Sequence, residues 1–344
     1  MLTSMNTPTA QTIGVLLVNL GTPAGSDVAS VKRYLREFLS DPYVIDLPNP
    51  WRSLLVQGLI IPLRAKKSAH AYQQIWTDQG SPLLTNSLAL KESLQNLLGP
   101  DYCVRLGMNY GEPNLVSALC ELKQCQKIIV LPLFAQYSTA VTESILEKIR
   151  KISASEKISS KLAIIQDFYN HPAYIQALAQ KIQPSLDESD VEYLLLSYHG
   201  LPMRQLYKIS NPCKQCTDTP CPMIQLDNKN CYRAQCFQTS RLVTEQLTLG
   251  KTKVITCFQS RLGRLTWTGP YTEHILEQLA AQGIKRIAIA CPSFITDCLE
   301  TLEEIGIRAR NTWLTAPDRE FKLILGLNNE ADYLTKILTP SSSF

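Results

Sequence analysis

Leu194-Leu195-Leu196-Ser197-Tyr198-His199-Gly200-Leu201-Pro202 echoes an earlier stretch of the same chain, Leu16-Leu17-Val18-Asn19-Leu20-Gly21-Thr22-Pro23. Each is an apolar run that stops at glycine and proline, the pattern of a strand buried on both faces and followed by a turn. A second echo follows each first one. Ile128-Ile129-Val130-Leu131-Pro132-Leu133-Phe134 corresponds to Ile287-Ala288-Ile289-Ala290-Cys291-Pro292-Ser293-Phe294, both closing on Pro-x-Phe. Four strand ends in the same order predict two similar α/β halves, over residues 10–165 and 170–320, with 321–344 as a C-terminal segment. Runs of Val, Leu and Ile ending in Gly or Pro also occur in any α/β protein, so the echo alone leaves that plainer reading open.

Working outward, apolar runs at Lys127–Leu133, Leu162–Gln166, Tyr193–Tyr198, Lys253–Phe258 and Arg286–Ala290 alternate with amphipathic stretches at Ser144–Lys151, Pro172–Lys181, Ser240–Leu247 and Tyr271–Gln282. After the first run a helix is expected to begin near Asp27. This alternation predicts an α/β fold with mostly parallel sheets flanked by helices. In such sheets ligands bind beyond the carboxyl ends of the strands. Chemistry is therefore expected at Gly21 to Pro23, Phe134 to Tyr137, His199-Gly200 and Phe294 to Glu300. Neither a Walker A motif nor Gly-x-Gly-x-x-Gly follows the first run, and His-Glu-x-x-His is absent, so nucleotide binding and zinc proteolysis have no support.

Composition narrows the class. The chain has 344 residues, 45% hydrophobic and 19% charged, with a net charge of +4. Those values describe a globular protein and give no case for nucleic acid, while suiting an anionic small substrate or an acidic membrane surface. Residues 1–12 lack the apolar core of a signal peptide and the Arg-rich pattern of a transit peptide, which predicts a cytoplasmic protein. The greasiest stretch, Leu54 to Leu63, is interrupted by Gln57, Gly58 and Pro62 and is too short to span a bilayer. Eleven cysteines without an export signal read as reduced thiols or metal ligands.

Of four histidines, His70, His171 and His274 lie in polar or turn surroundings and read as solvated or locally bonded. His199 differs: it ends an apolar strand and meets Gly200 at once, which projects an imidazole beyond the sheet. A core histidine bonded to a backbone carbonyl is the plainer alternative. In the segment Cys291 to Glu304, Asp297 is placed to cap a helix. Glu300 and Glu304 are four apart, so on an α-helix they share a face and could pass a cation or a proton. The same spacing describes ordinary solvated helix surface. A histidine with a carboxylate is an incomplete site for a divalent first-row metal, suited to an ion that must leave.

At this point the residues resemble a family. Leu17 to Pro23, Phe38 to Pro48, Tyr72 to Leu83, Ser197 to Pro202, Phe258 to Arg261, Trp267 with Pro270 to Thr272, and Asp297 to Leu302 are similar to the bacterial ferrochelatases, over about residues 12–310. The resemblance implies two Rossmann-like domains with a porphyrin cleft between them, and insertion of Fe²⁺ into protoporphyrin IX. Coproporphyrin III as substrate and a non-catalytic haem or metal carrier stand as alternatives. It further implies that His199 and Glu300 form the metal-site pair with Glu304 as a relay, and that Tyr72, Ser81, Tyr110, Phe134, Tyr137 and Phe294 line the porphyrin pocket. Trp51 to Lys67 resembles the mobile lip that meets a membrane, an ordinary packed amphipathic helix being the plainer reading. Nothing in the sequence names an iron donor.

Three departures stand out. Asn109 occupies a position where many members carry a basic residue, and Arg308 one where a third acidic residue often completes the ladder. The third is a Cys-rich insert at 211–236, holding Cys213, Cys216, Cys221, Cys231 and Cys236. Such thiolate spacing serves zinc or an iron–sulfur cluster, with free thiols as the alternative. Because some ferrochelatases carry a [2Fe–2S] cluster, the resemblance favours that group, on Cys213, Cys216, Cys221 and Cys231.

Overall fold

The computed structural model describes residues 8–208, 221–261, 263 and 265–339. They form two compact units. One comprises 8–133, Thr139–Asp167 and 328–339; the other comprises Phe134–Ser138 and Phe168–Leu327.

In the first unit, β1 (Ile13–Gly21), β2 (Tyr102–Tyr110), β3 (Lys127–Pro132) and β4 (Leu162–Ile164) form a parallel sheet in the order β2-β1-β3-β4. Val15, Leu16, Leu17 and Val18 are wholly inaccessible, as expected of a strand with helices on both faces. Asp27 opens the first helix, Val28–Leu39, by accepting from the amides of Ala29 and Ser30. In the second unit, β5 (Tyr193–His199), β6 (Lys253–Gln259), β7 (Arg286–Ala290) and β8 (Glu320–Ile324) run parallel in the order β6-β5-β7-β8. The two orders are the same permutation, and the paired echoes fall on equivalent strands, β1 with β5 and β3 with β7. The duplication read from the sequence is thus present in the topology.

The two units also share a detail. A Cβ on Gly21, whose φ is +112°, would lie 1.8 Å from Tyr110 O; one on Gly200 would lie 2.8 Å from Gln259 O. In each case a glycine at the end of the central strand passes too close to its neighbour's last carbonyl for any side chain.

The boundaries differ from the expected ones in three places. Residues 321–324 do not begin a separate segment, because Glu320 to Ile324 pair in register with Arg286 to Ala290. The helix Asp332–Leu338 belongs to the first unit, where it packs on Pro82–Leu98. Phe134–Ser138 groups with the second unit, where the Tyr137 amide donates to Gln235 Oε1 at 2.6 Å and Gln136 Nε2 donates to Thr239 Oγ1.

Candidate active site

His199 and Glu300 lie in the same unit, one at the end of β5 and the other in the segment beyond its neighbour β7. His199 is the last residue of β5, and Glu300 opens a helix that follows β7. Both are half-buried. His199 Nδ1 lies 2.6 Å from Gly200 O, its amide donates to Ser293 Oγ at 3.1 Å, and Phe294 packs its ring edge-on against the imidazole at 6.2 Å. The other three histidines are bonded locally, as expected. His70 pairs with Gln74, His171 accepts from the Ala173 amide, and His274 packs on Tyr271.

The helix that carries Glu300 is wider than the α-helix assumed from the spacing. Glu300–Ala309 forms π-type turns, closed by i→i+5 hydrogen bonds. That geometry makes residues five apart neighbours, so Arg308 reaches Glu303, with Nε 2.9 Å from the nearly buried carboxylate. Leu299, the residue before the helix, makes no side-chain cap bond. The Asp297 carboxylate accepts from Thr301 Oγ1 at 2.8 Å and from the Gly326 amide. Glu304 is not free either, since Oε1 accepts from the Ser260 amide at 2.7 Å and Oε2 from Ser260 Oγ at 2.6 Å. Burial pushes the Cys298 thiol well up, helped by its bond to the Glu300 carboxylate.

Two residues that sequence reasoning did not single out join these parts. Gln259, the last residue of β6, is 4% exposed. Its Oε1 accepts from Ser197 Oγ, its Nε2 donates to Glu300 O, both at 2.8 Å, and its carbonyl accepts from the Gly200 amide. Ser260, with φ +66°, turns the chain toward Glu304. A signal for both was present, because two polar residues closing a strand against a catalytic candidate need buried partners.

In the first unit, one pocket candidate ends a strand, one lies in the helix Ile61–Ile75 and one precedes the helix Pro82–Leu98. Tyr110 closes β2 and donates to Asp41 Oδ2 at 2.9 Å. Ser81 accepts from Thr22 Oγ1 at 2.8 Å, and Tyr72 packs edge-on against Trp76. Burial, reinforced by Asp41, pushes the Tyr110 phenol far above its ordinary value, so it acts as a neutral donor.

A sequence model described as Ferrochelatase matches residues 12–339. The chain is 48% identical to a ferrochelatase of Legionella pneumophila (strain Philadelphia 1), over 94% of this chain and 97% of that protein. It is 47% identical to a ferrochelatase of Coxiella burnetii (strain Dugway), covering 94% and 92%. This chain belongs to the ferrochelatase family. Its fold is also that of the sirohydrochlorin chelatase SirB of Bacillus subtilis subspecies spizizenii, solved with cobalt, at a TM-score of 0.50 and 10% identity over 95% of this chain and 94% of that one.

Within this ferrochelatase the departures take physical form. Asn109 is buried, with Nδ2 bonded to Ser144 Oγ at 3.1 Å and Oδ1 without a partner among the described residues. A cation stands beside it: Lys148 Nζ donates to Asn109 O at 2.7 Å and lies 4.2 Å from the centre of the Tyr110 ring. Burial holds the Lys148 ammonium below its ordinary value, opposed by Asp41 and Glu37. Arg308, far from leaving a gap, neutralises Glu303 and comes within 3.9 Å of Glu304.

Cys213 and Cys216 lie outside the described residues. Cys221 and Cys231 are buried, and Cys236 is buried beside both. Arg233, wholly inaccessible, places Nη1 2.8 Å from Cys221 Sγ, while its Nε and Nη2 donate to Gly269 O. A guanidinium buried against a thiol fits an anionic sulfur ligand, so the described half of the insert is chemically suited to a thiolate-bound group. Among the described residues, no group of three His, Cys, Asp or Glu is arranged to hold a metal ion.

Proposed function

We propose that His199 and Glu300 carry the reaction of this ferrochelatase, Fe²⁺ + protoporphyrin IX → protohaem + 2 H⁺. The observation that carries the reading is the bond between His199 Nδ1 and Gly200 O. A carbonyl only accepts, so in the neutral imidazole the proton sits on Nδ1 and Nε2 keeps its lone pair. Imidazole changes charge near neutral pH, which suits Nε2 to receive a proton released by a pyrrole nitrogen. The Glu300 carboxylate supplies an oxygen donor for the incoming ion. One nitrogen and one oxygen make a site that binds and releases, unlike a closed four-ligand cage. Glu304, with both oxygens taken by Ser260, is a clamp on the strand end in this reading rather than the relay expected from its spacing.

Tyr72, Ser81, Tyr110, Phe134, Tyr137 and Phe294 are proposed to line the porphyrin pocket. Aromatic faces suit the flat ring, and hydroxyls and the Lys148 ammonium suit its propionates. The test is an anaerobic assay of Fe²⁺ with protoporphyrin IX and with coproporphyrin III, following porphyrin absorbance. Faster insertion into coproporphyrin III would move the substrate assignment, and no acceleration with either would favour a carrier.

A [2Fe–2S] cluster on Cys213, Cys216, Cys221 and Cys231 is the favoured occupant of the insert, supported by the buried Cys221 and Cys231 and the Arg233 guanidinium. Such a cluster would supply a thiolate-bound, one-electron centre. The expected result is brown protein as purified, with iron and sulfide in near equal amounts, and colourless protein after Cys221→Ser. Colourless wild-type protein containing zinc would assign zinc, and colour that survives the substitution would remove Cys221 from the ligands.

The segment 51–67 is proposed as a peripheral membrane contact of a cytoplasmic enzyme. One face is packed, with Val56, Ile61 and Ala65 buried against Leu39. The other leaves Trp51, Leu54, Leu59 and Leu63 more than half exposed, near Arg52, Arg64, Lys66 and Lys67. No helix of the described residues is long and apolar enough to cross a membrane. Co-flotation with anionic vesicles is expected, reduced about tenfold by Leu63→Asp through lost apolar burial; equal flotation of both proteins would argue against this contact.

A further inference from the structure

The main chain of His199 is held at both its polar groups. Its amide donates to Ser293 Oγ at 3.1 Å, and its carbonyl accepts from Tyr232 Oη at 2.8 Å. The two bonds hold the strand end on either side of the residue that presents the imidazole, and breaking either leaves a buried polar group short of a partner.

Tyr232 is 5% exposed, is the first residue of the helix Tyr232–Gln246 and follows Cys231 directly. Its buried hydroxyl is spent on the His199 carbonyl rather than on solvent.

The grip on the His199 main chain matters because of what lies next to it. The imidazole is oriented by the carbonyl of Gly200, one peptide beyond the carbonyl that Tyr232 holds. If the His199 carbonyl is released, the 199–200 peptide keeps only the bond from the Gly200 amide to Gln259 O, and it can tilt about that bond and shift Gly200 O relative to Nδ1. The imidazole then loses both its orientation and the bond that selects its tautomer.

We propose that Tyr232 is a positioning residue for His199. Together with Ser293 it fixes the peptide that presents the imidazole, and it makes the setting of His199 depend on the helix that begins in the Cys-rich insert. This rests on His199 as the proton acceptor of insertion. Tyr232 does not itself touch the reacting atoms.

Full-length protein carrying Tyr232→Phe, and separately Ser293→Ala, tests the proposal. Each removes a different one of the two bonds that hold the His199 main chain, so one remains informative if the other folds poorly. In Tyr232→Phe, kcat is expected to fall about tenfold while KM for porphyrin stays within about twofold, because orientation of the base is lost and substrate contacts are not. In protein labelled with ¹⁵N-histidine, the His199 ring resonances at one fixed pH are expected to move in both variants, while those of His70, His171 and His274 stay in place. An unmoved His199 ring, or an unchanged kcat in Tyr232→Phe, overturns the proposal. Full activity in His199→Ala would instead overturn the acceptor assignment, and the ring resonances would still report whether Tyr232 positions His199.

Discussion

His199→Ala is expected to bind porphyrin and to lose insertion, with kcat down about 10³-fold, in the range that removal of a positioned acid–base group produces. KM for porphyrin is expected within about threefold of wild type, because the ring is apolar over most of its area and the proposed pocket residues remain. The substitution removes the imidazole, its bond to Gly200 O and its edge contact with Phe294, which together cost about 1–2 kcal/mol of stability. That loss leaves a folded protein, so activity can be read directly. The measurement is anaerobic turnover of Fe²⁺ with each porphyrin, alongside fluorescence titration of porphyrin binding. Retained turnover would remove His199 from the chemistry. Loss of binding with unchanged turnover at saturation would make it a pocket residue. A companion His199→Gln keeps a polar side chain but no basic nitrogen, and is expected to be as inactive as Ala.

The fold was legible wherever one strand is buried on both faces. β1, β3, β5 and β7 are largely apolar runs, and their repeat along the chain foretold two like sheets. β2 escaped notice because Arg105, Gly107 and Asn109 interrupt it. Gly107 is required only by a neighbour, since a Cβ there would lie 3.0 Å from Leu115 Cα. β8 is an edge strand, paired on one side only, and Glu320 and Lys322 break its apolar pattern. At the site, His199 could be read because strand end and glycine coincide in sequence. Tyr232 and Ser293 could not, since they meet His199 from 33 and 94 residues away. The π-type turns were equally hidden, because an acidic ladder at i, i+4 looks the same whichever helix bears it. Only the pairing of Glu303 with Arg308, five apart, betrays the wider helix, and it explains why a basic residue is tolerated at the outer end of the ladder.

Glu304 is where relay and clamp predict different numbers. Both carboxylate oxygens are bound by Ser260, whose left-handed backbone is held there at a cost of about 1–2 kcal/mol. Glu304→Ala is expected to destabilise the protein by about 3 kcal/mol, from two hydrogen bonds to a charged acceptor worth about 1.5–3 kcal/mol each, offset by relaxation of Ser260. Activity should fall about 10²-fold with it, because Ser260 adjoins Gln259, whose amide holds Glu300 O and whose carbonyl holds the Gly200 amide, and misplaced reacting groups lose on this scale. Glu304→Gln separates the two roles. Its carbonyl still accepts from the Ser260 amide, and its amide nitrogen can donate to Ser260 Oγ, so a clamp keeps most of its stability and kcat within about threefold of wild type. A relay needs the ionisable carboxylate itself, so Gln would be as slow as Ala even in a fully stable protein. Urea unfolding and anaerobic turnover of both variants therefore decide the matter, and the clamp predicts that activity follows the Ser260 bonds rather than the charge. If Gln is stable and inactive, the carboxylate moves protons or metal after all, and Arg308, 3.9 Å away, becomes the group that sets how readily it does so.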